Sequence, residues 1–138
     1  MRLPVPRKLR QLIQRAFGNR TVRVLPSLDA YDLWAGNYPP LPHNALMQVE
    51  QAAMLDLMPA LQNQVVLDLA CGTGRYGLIA QEGGARLVIG IDNSAAMLKA
   101  STLGIRIQGT VEAIPLANAS IDVVLCGRAL GHLPTLTP

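Results

Sequence analysis

The chain is poor in aromatic side chains, in charge, in histidine and in cysteine. Its 138 residues hold one Trp, one Phe and three Tyr, and 15% of them are charged. The two histidines, His43 and His132, and the two cysteines, Cys71 and Cys126, make no CxxC pair, no metal-ligand cluster and no Ser/His/Asp arrangement. Two cysteines make no disulfide framework either, so a reduced, cytoplasmic setting is expected. No apolar run reaches the ~18 residues of a membrane-spanning helix. There is no internal repeat and no low-complexity tract. What remains is half hydrophobic, which supplies the core of one ordinary domain and argues against wholesale disorder.

Acidic residues are missing from the front of the chain. Arg2, Arg7, Lys8, Arg10, Arg15, Arg20 and Arg23 stand before residue 24 with no acid among them. The remainder has five basic and nine acidic side chains, a net −4 beneath a whole-chain charge of +3. Residues 7–17 fit a helix, with Leu9, Leu12, Ile13, Ala16 and Phe17 on one side and cations on the other. Such a helix docks on its own domain, lies on an anionic membrane surface or serves as a targeting segment, and all three readings stay open. Peripheral membrane contact through residues 7–17 is thus one expectation. Nucleic acid is not favoured, because Phe17 is the segment's one aromatic and no RNA-binding signature accompanies it. Nothing in the sequence speaks to the oligomeric state. The organisation expected is a basic extension over 1–26, a helical cap over 27–62 and an α/β domain over 63–138.

The glycine-rich stretch 65–77, VVLDLACGTGRYG, organises the rest. Val65, Val66, Leu67 and Leu69 predict a strand buried on both faces, interrupted by Asp68. Gly72 and Gly74 let the backbone turn sharply and approach a ligand. Before it, Ser27 or Asp29 caps a short helix to about Trp34, and Asn44 caps a second over 45–58. That second helix spreads Leu46, Met47, Val49, Ala53, Met54, Leu57 and Met58 over a broad apolar face, read as core packing. After it come a helix ending at Gly83-Gly84, a strand over 86–91 with Asp92 at its end, and a helix over 95–103 capped by Asn93-Ser94. A third strand over 105–108, a loop, a fourth strand over 121–126 and the start of a helix over 129–133 follow. Strands alternating with helices imply a parallel sheet with right-handed crossovers.

Two cofactor sites use such a glycine turn. Gly72-Thr73-Gly74-Arg75-Tyr76-Gly77 matches GxGxxG, and Asp92 lies at the spacing of a dinucleotide ribose ligand. Against an NAD site stand Asp68, four residues before the first glycine, and the ~64 residues preceding the strand. The linked set of segments resembles instead the class I S-adenosylmethionine-dependent methyltransferases of small-molecule type. Residues 65–77 resemble that family's glycine motif. VIGIDNSAAML over 88–98 resembles its second cofactor segment, and GTVEAIPLANASIDVVLCGRALGHL over 109–133 its third and fourth. YDLWAGNYPP and HNALMQVEQAAML look like the cap helices before the fold. The resemblance covers about residues 30–133. It departs at Ala70, where Gly is usual, and at Thr110, where Asp is usual beside the glycine; a threonine hydroxyl also accepts a hydrogen bond.

The resemblance implies a Rossmann-like parallel sheet in the order 3-2-1-4 with N-terminal cap helices, and S-adenosyl-L-methionine as cofactor. That cofactor carries an ammonium, a sulfonium and a ribose diol but no phosphate, so its site needs carboxylates. Asp68 would face the ammonium, Ala70, Gly72 and Gly74 would line the methionine and ribose portion, and Asp92 would offer two oxygens to the two ribose hydroxyls. Asn93 and Met97 would border the adenine, Val111 would offer its backbone amide, and Glu112 sits beside Val111. Each has a plainer role: Asp92 and Asn93 as helix caps, Met97 as core. His132 is the one candidate general base, and its more ordinary role is to pack or orient a helix. His43 is placed at the cap entrance. Tyr31, Trp34 and Tyr38 line the cofactor mouth or pack the cap, with packing favoured for Trp34.

The resembled fold has seven strands and this sequence supplies four. A fragment that lacks part of the acceptor pocket, binds cofactor weakly and turns over little is therefore the expectation. The acceptor expected is a small molecule. The alternatives are an NAD-dependent oxidoreductase and a catalytically inactive cofactor-binding remnant.

Overall fold

A computed structural model describes residues 25–129 together with Gly131. The basic segment 7–17 and His132 lie outside the described residues. The chain opens with helix α1 (Ser27–Trp34), a short 3-10 turn (Ala35–Asn37) and helix α2 (Ala45–Leu57). Strand β1 (Val65–Leu69), helix α3 (Arg75–Glu82), strand β2 (Leu87–Asp92), helix α4 (Ala95–Ala100), strand β3 (Ile105–Gln108) and strand β4 (Val123–Leu125) follow.

The four strands form one parallel sheet, as the alternation of strands and helices implied, in the order β3-β2-β1-β4 that the family resemblance implied. Leu67 pairs with Ile89 on one side of β1 and with Val124 on the other. All five residues of β1 are buried, so the central strand is covered on both faces. Val66 meets Tyr76, Ala80, Val88, Leu98 and Leu103 on one face. Leu67 and Leu69 meet Ile89 and Ile91 on the other, closed over by Val111, Leu116 and Ile121 from the loop before β4. β2 and β3 lie to one side of β1 and β4 to the other. The order therefore reverses beside β1, and a crevice opens at the strands' carboxyl ends, where parallel sheets bind ligands.

Several local expectations need correction. No side chain caps α1. Pro26 holds the N-cap position in extended conformation, and Ser27 is already helical. Asn44 does cap α2, its Oδ1 accepting from the Met47 amide at 2.9 Å. The broad apolar face of α2 is not buried as a whole. Met47 is buried and Met54 and Met58 pack on the core, whereas Leu46, Val49 and Leu57 point outward, Leu57 83% exposed. Met54 and Met58, unbranched and adaptable, are the residues of this stripe that reach the core cluster beside the buried Met47. α4 stops at Ala100, because Ser101 turns extended and Leu103 leaves the helix to plug the core against Gly74, Gly77 and Gly90. β4 is three residues long, not six. Asp122 spends itself on the start of the ladder, its Oδ2 accepting from the Val65 amide at 2.8 Å while its own amide donates to the Val65 carbonyl.

Candidate active site

The turn after β1 is built on left-handed backbone. Ala70, Gly72 and Gly74 have φ of 56°, 54° and 93°. Glycine adopts this region freely and alanine does not, so Ala70 stores about 1–2 kcal/mol of strain. Gly72 faces open space: a Cβ there would meet nothing within 4 Å. Gly74 is placed against the core side of the turn. It is the N-cap of α3, a Cβ on it would strike Ser101 Oγ at 2.8 Å, and it does not line the cleft.

Three carboxylates stand around this turn. Asp68 is 1% exposed, and its Oδ2 accepts from the Gly77 amide at 2.7 Å, tying the strand to the first turn of α3. Burial raises its pKa to about 7; the Gly77 hydrogen bond opposes that, Asp92 adds to it and Arg75 lowers it. Asp92, at the end of β2, accepts from the Gly72 amide through Oδ2 at 2.7 Å and from the Ser94 amide through Oδ1 at 2.9 Å. Each of its oxygens retains a second lone pair for a ligand. Ser94 in turn caps α4 through the Met97 amide and donates to Asp32 of α1 at 2.5 Å. Glu112 is exposed and lines the same cleft.

These residues line one cleft of about 1160 Å³, counted out to its open mouth. Asp68, Ala70, Gly72, Asp92, Asn93, Met97, Val111 and Glu112 all reach it, across some forty positions of sequence. Tyr31 and Tyr38 reach it from the cap, stacked edge to face at 6.3 Å. Trp34 packs edge-on against Tyr31 and stays half exposed at the rim. His43 stacks on Tyr38 at the cap entrance, with centroids 5.0 Å apart, and does not line the cleft. Burial raises the pKa of both cysteines, so neither is an activated thiolate. Among the described residues no group of three or more His, Cys, Asp or Glu is placed to hold a metal.

Arg75, Tyr76, Glu50 and Arg128 enter the site without having been singled out by the sequence. Glu50 on α2 accepts from Arg75 Nη2 and from the Tyr76 hydroxyl, both at 2.7 Å. The Arg75 guanidinium lies 4.6 Å over the Tyr76 ring. Arg75 Nη1 is buried with no hydrogen-bond partner, on a residue that lines the cleft. Arg75 and Tyr76 sit inside the GxGxxG match, which was the available signal. Glu50 is 25 residues from Arg75 and had none.

The profile of the methyltransferase domain family matches residues 66–137. The chain belongs to that family. A malonyl-[acyl-carrier protein] O-methyltransferase of Pectobacterium atrosepticum is 29% identical over 142 aligned positions, covering 93% of this chain and 49% of that protein. The corresponding enzyme of Enterobacter lignolyticus is 34% identical over 92 positions, 64% of this chain and 36% of the relative. Among solved structures, an S-adenosylmethionine-dependent methyltransferase of Mesorhizobium loti superposes with a TM-score of 0.52 at 28% identity, over 56% of this chain and 38% of that one. The chain thus spans about half the length, or less, of the relatives it matches. The sheet order is that of a Rossmann-like methyltransferase, and the NAD reading of GxGxxG is not favoured.

Proposed function

We propose that the chain binds S-adenosylmethionine in this cleft and serves methyl transfer to a small-molecule acceptor. The observation that carries the reading is the pairing of Asp68 and Asp92 across a glycine turn whose Gly72 offers bare backbone to open space. The residues present fit the cofactor. Its methionine end is a zwitterion, and the cleft has a buried carboxyl group, Asp68, for the ammonium and an unsatisfied buried N–H, Arg75 Nη1, for the carboxylate. Asp92 would take the ribose hydroxyls on its remaining lone pairs, and Asn93, Met97, Val111 and Glu112 would border the adenine. Thr110 lines the same wall and brings a hydroxyl to it.

When bound, S-adenosylmethionine supplies a methyl group on a sulfonium, an electrophile that needs positioning and dehydration more than acid–base help. The chain's own part is therefore to orient and to exclude water. Asp68 and Asp92 fix the two ends of the ligand from β1 and β2, two adjacent strands of one sheet. Tyr31, Tyr38, Pro39 and Met47 wall the cleft on the cap side. The Glu50 bonds to Arg75 and Tyr76 hold α2 in place there. The small-molecule acceptor is supported by the cap helices that precede the sheet. The basic segment 7–17 adds peripheral membrane contact to the proposal, and vesicle sedimentation with and without residues 1–24 tests it.

Titration with S-adenosylhomocysteine tests the cofactor site. Asp92→Asn is expected to weaken binding about tenfold or more, the range for truncating one charged hydrogen-bond acceptor. Binding unchanged in both Asp92→Asn and Asp68→Asn would remove this cleft as the site.

A further inference from the structure

Five charged side chains line the cleft: Asp68, Arg75, Asp92, Glu112 and Arg128. Four are accounted for. The three acids face the cofactor site, and Arg75 is paired with Glu50. Arg128 has no ion pair or hydrogen bond among the described residues.

Its placement is deliberate in physical terms. Arg128 follows the carboxyl end of β4, the strand on the far side of β1 from Asp92. Its φ is +60°, a left-handed conformation that L side chains adopt at a cost. The strain is imposed from below. Gly127 lies so close over the Tyr76 ring that a Cβ would overlap it, and Tyr76 is itself anchored to Glu50. The backbone leaving β4 is therefore fixed over that ring, and the guanidinium is exposed at the cleft wall. Tyr31, across the cleft on α1, registers the charge: burial raises its pKa, Tyr38 adds to that, and Arg128 pulls against both.

Resting on the methyltransferase reading above, we propose that Arg128 recognises the methyl acceptor, and that the acceptor carries an anionic group, a carboxylate or a phosphate. With Asp92 of β2 holding the ribose and Asp68 of β1 the ammonium, the cleft wall that neither end of the cofactor would take is the one after β4, where Arg128 stands. A planar guanidinium with five donors matches either anion in bidentate fashion.

The test uses the full chain saturated with S-adenosylhomocysteine and three probes: malonate, inorganic phosphate and uncharged malonamide. At least one anion is expected to bind about tenfold tighter than malonamide, and which one separates a carboxylate acceptor from a phosphate. Arg128→Gln is expected to abolish that preference with S-adenosylhomocysteine affinity unchanged, and Arg128→Lys to keep part of it. The cations before residue 24 are common to all variants and cancel. Arg128→Gly relieves the left-handed backbone, so its melting midpoint should not fall while anion preference is lost; a merely structural arginine would not divide the two readouts. Anion preference that survives Arg128→Gln, no preference for either anion, or a loss of S-adenosylhomocysteine affinity in Arg128→Gln overturns the proposal. If the parent chain fails to bind S-adenosylhomocysteine, the cofactor reading falls first and takes this one with it.

Discussion

Asp68 is a carboxyl group in the middle of a buried sheet with one backbone hydrogen bond to hold it. Its pKa of about 7, against about 3.9 in an unfolded chain, sets a sign for pH effects. Between pH 4 and 7 the folded state holds a proton that the unfolded state has released. Stability from this residue is thus full below pH 4 and lost as pH rises through 7. Urea denaturation from pH 4 to 8 should show that decline, and Asp68→Asn should flatten it. Cofactor binding has the opposite slope, because a cationic ammonium selects the ionised form. S-adenosylhomocysteine affinity should rise, by up to tenfold per unit, between pH 5.5 and 7 and then level off. Ala70 offers a second check at this scale. Replacing it with glycine releases about 1–2 kcal/mol of strain and adds about 0.5–1 kcal/mol of chain entropy cost. Ala70→Gly is therefore expected to stabilise by about 0.5–1 kcal/mol in denaturant titration. Both residues were legible in the sequence: Asp68 because an acid in an apolar strand needs a reason, Ala70 because its neighbours resemble a motif with glycine there.

At the level of elements, the cleft depends on two joints. One is the Glu50 link between α2 and α3. Its partner guanidinium is largely buried, so Glu50→Ala leaves a charge and a phenol unpaired and should destabilise by about 2 kcal/mol, discounted from the fully buried case for Glu50's exposure. Amide exchange should quicken in α2 before it quickens in β1 or β2. The other joint is Leu103 against the glycines. A Cβ on Gly77 would come within 2.8 Å of Leu103 Cδ1 and 3.1 Å of Asp68 Oδ2. Gly77→Ala should cost about 1–3 kcal/mol in denaturant titration by overpacking, and should disturb Asp68 with it. Neither joint was readable in the chain. Strands and helices announce themselves through local periodicity, and the caps Asn44 and Ser94 through residue type. Glu50 looks like any surface acid until the fold brings Arg75 to it. The exposed side of α2 was misread for the same reason: an apolar stripe records that something can cover it, and among the described residues only its methionines are covered.

For the molecule as a whole, the order β3-β2-β1-β4 explains why residues from 68 to 128 converge. β1, β2 and β4 end on the same side, and the reversal beside β1 opens the crevice they share. The parallel sheet followed from strands alternating with helices, its order from the family resemblance, and the cofactor reading from the linked set of segments with Asp68 and Asp92 rather than from GxGxxG. The methyl acceptor does not follow, because the cofactor-facing strands carry the motifs and the chain spans about half of its relatives at most. The most direct measurement is calorimetric titration of the chain with S-adenosylhomocysteine and, separately, with NAD at pH 7.5. The expected result is saturable binding of S-adenosylhomocysteine, weakened in Asp68→Asn and Asp92→Asn, and no saturable binding of NAD. NAD binding as tightly as S-adenosylhomocysteine, or neither ligand binding, would contradict a sulfonium-nucleoside site.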